Sequence, residues 1–154
     1  MTTRPAQFRR LLADHCVAMP GAFNAMTARL IEAAGFEAVY VSGAGLCNAT
    51  AGVPDVGLLG LTEFARLLGY VCDAVEVPVV SDADTGFGGA SNAARTVREL
   101  ERAGVAGIHI EDQVFPKRCG HLAGKKVEPV EEMVAKLGAA VEAKRDADFL
   151  LIAR

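Results

Sequence analysis

The sequence predicts an α/β protein of the (β/α)8 barrel type in which the first four to five βα units are present. Three observations lead there. Short apolar, β-branched runs alternate with longer segments whose apolar positions recur every three or four residues, the pattern of buried parallel strands joined by amphipathic helices. An Ala-Gly pair closes two of the helical segments, at Ala34-Gly35 and Ala103-Gly104, shortly before the next apolar run. Polar residues gather just after the runs, so successive strand ends would converge over one barrel mouth, whereas an open sheet would spread them along a crevice.

Residues 17–19 (Val-Ala-Met) predict a first strand, followed by Asn24 and an Ala- and Leu-rich helix over 25–34. The next strand, 39–41, leads into Ser42-Gly43, and a helix follows over 61–74 with Thr62 as a first-turn acceptor. A third strand over 77–80 runs into Asp82-Ala83-Asp84; Ser91 then stands ready to cap a helix over 93–103. A fourth strand, 107–110, ends at Glu111-Asp112, a helix follows over 129–144, and a fifth strand over 149–152 precedes Arg154. Gly35 and Gly104 sit where left-handed C-caps belong.

Composition narrows the function classes. The 154 residues are 51 % hydrophobic, enough for a sizeable core, and a net charge of −3 with both signs interspersed gives no nucleic-acid footprint. No apolar run reaches membrane-spanning length, and residues 1–14 mix three arginines with polar groups, unlike a secretion signal, so a cytoplasmic location is expected. The four cysteines are widely spaced and read as free thiols. A full barrel takes about 250 residues. Residues 1–154 are therefore expected to be the N-terminal portion of one barrel domain, leaving two open strand edges.

Three segments carry chemistry. Asp82 and Asp84 follow a strand directly, with glycines after them; such hard oxygen donors suit magnesium, although a solvated Asx-turn would use the same residues. Glu111 ends the next strand in the same way, while His109 reads as a packed or hydrogen-bonded core histidine rather than a ligand. Lys117-Arg118-Cys119-Gly120-His121 packs two cations, a thiol and an imidazole into one loop, which either activates the thiol or forms a basic surface loop.

The loop 117–121 resembles the catalytic signature of isocitrate and methylisocitrate lyases, and Asp82-Ala83-Asp84-Thr85-Gly86-Phe87-Gly88 resembles the metal motif of the wider isocitrate lyase and phosphoenolpyruvate mutase superfamily. Pro20 to Asn24, Tyr40 to Gly43, Gly52 to Asp55 and Glu111-Asp112-Gln113 extend the resemblance from about Phe8 to the last residue. It implies a barrel that cleaves a 2-hydroxy tricarboxylate, such as 2-methylisocitrate, into pyruvate and succinate, with Mg2+ as cofactor and a small carboxylic acid as substrate.

In that likeness Asp82 and Asp84 hold the metal, supported by Asp55 and Glu111; Ser42, Gly43, Ala44, Gly120 and Arg154 bind substrate. Tyr40 helps remove the hydroxyl proton, Cys119 protonates the carbanion, and Lys117, Arg118 and His121 tune the thiol. Leu122 and Ala44 depart from the pattern, which leaves dimethylmalate cleavage, oxaloacetate decarboxylation and phosphonomutase chemistry as alternative activities, and an inactive interaction module as a further one. The resemblance further implies a homotetramer for a full-length form, no nucleic-acid or membrane partner, and weak turnover for the isolated chain.

Overall fold

The structure, a computed structural model, describes residues 2–154. Five strands form one parallel sheet in sequential order: β1 (Gly21–Ala22), β2 (Val39–Val41), β3 (Val79–Asp82), β4 (Gly107–Ile110) and β5 (Leu150–Ala153). Parallel neighbours in chain order, each reached through a helical crossover, are the opening strands of a (β/α)8 barrel wall.

The helices are α1 (Arg4–Asp14), α2 (Ala25–Ala33), a short α3 (Gly43–Gly45) running into a π-helical turn (Leu46–Ala51), α4 (Leu61–Ala74), α5 (Ala90–Arg102) and α6 (Val130–Ala143). Four of these match the predicted segments to within a few residues, and Gly35 and Gly104 do close two of them in the left-handed region, at φ +89° and +93°. The predicted caps do not hold. Thr62 and Ser91 lie inside their helices; Gly60 and Gly89 are the N-caps, and Glu63 reaches back to accept the Gly60 N–H at 2.7 Å.

Two elements differ from expectation at the N-terminal end. The first strand is Gly21–Ala22 rather than 17–19, because the pairing partners of β2 are Gly21 opposite Tyr40 and Ala22 opposite Val41. Val17 and Met19 instead pack beside Phe8, Ala38, Val80 and Ala106. The helix α1, unforeseen because only Phe8, Leu11 and Leu12 give it an apolar side, starts at Thr3, whose hydroxyl accepts the Ala6 N–H at 3.3 Å. It crosses the strand entrances, where Arg4 and Arg9 donate to the Val75 and Asp148 carbonyls at 2.5 and 2.7 Å.

These contacts close the N-terminal floor. The larger core lies between the sheet and its helices, with Val39, Val41, Val79, Ile108 and Ile110 against Phe64, Leu68, Val97 and Leu100. Beyond it, the two outermost crossover helices expose apolar side chains: Met26 and Leu30 on α2, Val130, Val134 and Val141 on α6. No helix among the described residues is long and apolar enough to cross a membrane.

Phe8 is 1 % exposed and is the largest side chain of the floor cluster. Phe8→Ala is expected to lower the unfolding free energy by about 3–5 kcal/mol, the usual cost of emptying an aromatic core position. Urea denaturation reads it; a loss below about 1 kcal/mol would mean that α1 does not seal the sheet.

Candidate active site

Side chains alternate across a strand, so the register decides what meets at the C-terminal end of the sheet. Asp82 of β3 lies opposite His109 of β4, which lies opposite Ile152 of β5. Two residues further along the same face come Glu111 and Arg154. Asp82, His109 and Glu111 thereby bring one ligand atom each to within 4.8 Å of one another, all three buried.

Asp82 is the hub. Its Oδ1 accepts the Asp84 N–H at 2.8 Å and its Oδ2 accepts the Gly43 N–H at 3.2 Å. A Cβ at position 43 would stand 2.8 Å from that Oδ2, so glycine is required there. Ser42 caps the short helix α3 by accepting the Gly45 N–H at 3.3 Å.

Tyr40 Oη lies 2.5 Å from His109 Nε2, and the Asp82 carboxylate lies 3.7 Å from the same nitrogen. Burial lowers the pKa of His109 despite the nearby Asp82, and burial together with Asp82 raises that of Tyr40. Tyr40 and His109 thus share one part-buried hydrogen bond, and His109 Nδ1 is a buried atom without a partner.

The other two acids of the predicted metal set face a different group. Asp84 and Asp55 both pair with the ammonium of Lys117, which lies 2.5 Å from Asp84 Oδ1 and also bonds Asp55 Oδ1. Burial pulls Lys117 down, but Asp84 and Asp55 outweigh it and hold the ammonium charged above its ordinary range. Burial, with the like charges of Asp82 and Asp55, pushes Asp84 up to about 6 against the pull of Lys117. Asp84 itself adopts φ +48°, an uncommon backbone for a non-glycine residue that aspartate tolerates.

Tyr40, Ser42, Ala44, Asp55, Asp82, Glu111, Cys119, Gly120, His121 and Arg154 line one open cavity of about 370 Å3, together with His109. Gly43, Asp84, Lys117 and Arg118 lie outside its lining. Lys117 is buried on Asp55 and Asp84, and Arg118 donates to the Ala123 carbonyl at 2.7 Å. Arg154 bonds Glu111 Oε1 at 2.9 Å and closes on Gly120, where a Cβ would stand 2.8 Å from Nη2. Cys119 is half-buried, and all four cysteines are free thiols.

A divalent cation fits this charge balance. Four buried carboxylates, Asp55, Asp82, Asp84 and Glu111, face the cations Lys117 and Arg154, which leaves two negative charges uncompensated. Asp82 and Glu111 border the cavity and offer hard oxygen donors, and the open space leaves room for the waters that Mg2+ keeps. His109 Nε2 is engaged by Tyr40, so carboxylates rather than imidazole would do the holding. His109 is the packed, hydrogen-bonded core histidine that the sequence predicts; Gln113, also buried, is given no role there, although the alternation 109, 111, 113 places it on the same face.

The family model for phosphoenolpyruvate phosphomutase matches residues 8–154. The chain is 50 % identical over 150 residues to 2,3-dimethylmalate lyase of Eubacterium barkeri, covering 97 % of this chain and 52 % of that protein. It is 55 % identical over 138 residues to 2-methylisocitrate lyase of Aeropyrum pernix, covering 90 % and 44 %. The crystal structure of a phosphonopyruvate hydrolase in complex with oxalate and Mg2+ superposes with a TM-score of 0.86 at 32 % identity, over 98 % of this chain and 52 % of that one. The chain thus spans about half the length of the curated relatives it matches.

Removing Lys117 tests the electrostatic reading. Lys117→Ala strips the buried Asp55 and Asp84 of their ammonium and is expected to cost about 3–5 kcal/mol of stability at neutral pH, as measured by urea unfolding. An unchanged stability would mean that the two carboxylates are not held by that ion pair.

Proposed function

The chain belongs to the phosphoenolpyruvate phosphomutase family within the isocitrate lyase superfamily, and on that premise we propose that it carries the site of a Mg2+-dependent carbon-carbon lyase acting on a 2-hydroxy tricarboxylate such as 2-methylisocitrate. The observation that supports the reading is that one cavity is lined both by the carboxylates Asp82 and Glu111 and by the Cys119 thiol, Gly120 and Arg154.

Asp82 and Glu111 would hold Mg2+, which would supply positive charge to stabilise the oxo-acid product. Ser42 and Ala44, at the first turn after β2, offer polar backbone and a hydroxyl to a carboxylate. Arg154 commits Nη1 to Glu111 and, with a side chain about half exposed, keeps donors free for a second carboxylate.

Tyr40 Oη lies within hydrogen-bond distance of His109 Nε2, so with that nitrogen as acceptor a proton leaving the substrate hydroxyl can pass to the phenol oxygen as the phenol proton moves onto the imidazole. The electron pair of that O–H bond becomes the new carbonyl as the neighbouring carbon-carbon bond breaks. The carbanion left on the dicarboxylate fragment takes the thiol proton of Cys119. For 2-methylisocitrate the products balance as pyruvate and succinate, with the proton from the hydroxyl returning to the thiolate to close the cycle.

Cys119 favours carbon-carbon cleavage over phosphonomutase chemistry, because a thiol proton donor has no task in phosphoryl migration; it does not choose between 2-methylisocitrate and 2,3-dimethylmalate. With Mg2+ present, the chain is expected to bind pyruvate and to release pyruvate and succinate in equal amounts from 2-methylisocitrate, weakly, in preference to oxaloacetate or phosphonopyruvate. Cys119→Ser should leave pyruvate binding in calorimetry unaltered and lower cleavage by roughly 10²–10⁴-fold, the usual worth of a positioned proton donor. Unchanged cleavage by the serine variant, or preference for phosphonopyruvate, contradicts the proposal.

A further inference from the structure

Gln113 is 4 % exposed, and its side-chain amide ties together two parts of the site. Oε1 accepts the Arg118 N–H at 3.1 Å while Nε2 donates to the Arg118 carbonyl at 2.9 Å. That is the pair of bonds one strand residue exchanges with another, here supplied by a side chain to the residue that precedes Cys119. Nε2 also donates to Glu111 Oε2 at 2.5 Å. The remaining oxygen of Glu111 accepts from Arg154, whose guanidinium closes on Gly120, the residue after Cys119.

Cys119 is thus bracketed. The residue before it is held by Gln113 and the residue after it lies against Arg154, and both Gln113 and Arg154 bond the same carboxylate, which also belongs to the Asp82, His109 and Glu111 cluster. Such a tether needs a neutral side chain of this length with a donor and an acceptor at its tip. A carboxylate would lose the donor and repel Glu111, and an ammonium would lose the acceptor.

We propose that Gln113 is a positioning residue that registers the Cys119 thiol against the carboxylate cluster by clamping the backbone of Arg118 to Glu111. The catalytic meaning of this clamp rests on the reading of Cys119 as proton donor. The clamp itself is read without turnover, so it can fail while the lyase reading stands, and Cys119→Ser can fail while the clamp stands.

Gln113→Met keeps the volume and neutrality of the side chain and removes all three hydrogen bonds. Alkylation by iodoacetamide, resolved peptide by peptide, uses exposed Cys16 as the reference and buried Cys47 and Cys72 as reporters of an intact fold. Cys119 is expected to react roughly five- to thirty-fold faster relative to Cys16 in the variant, the population shift expected from losing the two hydrogen bonds to Arg118. An unchanged ratio, with Cys47 and Cys72 still protected, overturns the proposal.

If Cys47 and Cys72 become reactive, the variant has lost its fold and the unmodified chain decides. Its Arg118 amide, bonded to Gln113, should exchange with deuterium more slowly than the free-peptide rate for the same sequence. Exchange at the free-peptide rate overturns the proposal.

Discussion

An excess of buried negative charge governs this molecule. Asp55, Asp82, Asp84 and Glu111 are taken out of water at one end of the sheet, and Lys117 and Arg154 answer half of their charge. Buried carboxylates are costly unless paired or hydrogen-bonded, and the local structure is arranged around that cost. Gly43 and Asp84 turn backbone N–H groups onto Asp82, Gln113 turns an amide onto Glu111, and Lys117 is buried to serve two acids at once. Burial, with the like charges of Asp82 and Asp55, drives the Asp84 carboxyl up to about 6.

The rest of the fold positions that charge. Parallel strands in sequential order set Asp82 beside His109, and strand alternation brings Glu111 and Arg154 to the same face. Apolar residues, with Phe8 at their centre, fill the opposite end of that face, so the polar groups meet at the C-terminal mouth. The thiol loop returns over this mouth because its own polar groups are satisfied locally, with Arg118 on the Ala123 carbonyl and Lys125 on the Gly120 and Leu122 carbonyls at 2.8 Å.

Much of this was legible in the sequence, for a physical reason. Strands buried on both faces must be continuously apolar and helices covering them must be amphipathic, so β2 to β4 and the four long crossover helices announce themselves, and β5, though partly exposed, carries the same apolar run. The first strand did not: two residues of pairing leave no periodicity to read, and the more apolar 17–19 was the better-looking candidate. Helix α1 was hidden because one buried phenylalanine among charged residues is too narrow a stripe. Within the site, the motifs named the acids but not their partners. Lys117 stands beside the thiol in the chain yet binds Asp55, 62 residues away, and Asp84; such pairing depends on how two loops cross over the mouth, which local pattern does not encode.

The same charge balance separates what binds from what reacts. Asp82 and Glu111 at the cavity wall are the groups available to a cation, and Cys119 and Arg154 line the same cavity. Calorimetric titration of the chain with Mg2+ at neutral pH tests this most directly. The account predicts one saturable site per chain and its loss in Asp82→Asn; no saturable binding, or binding that survives that substitution unchanged, would contradict it.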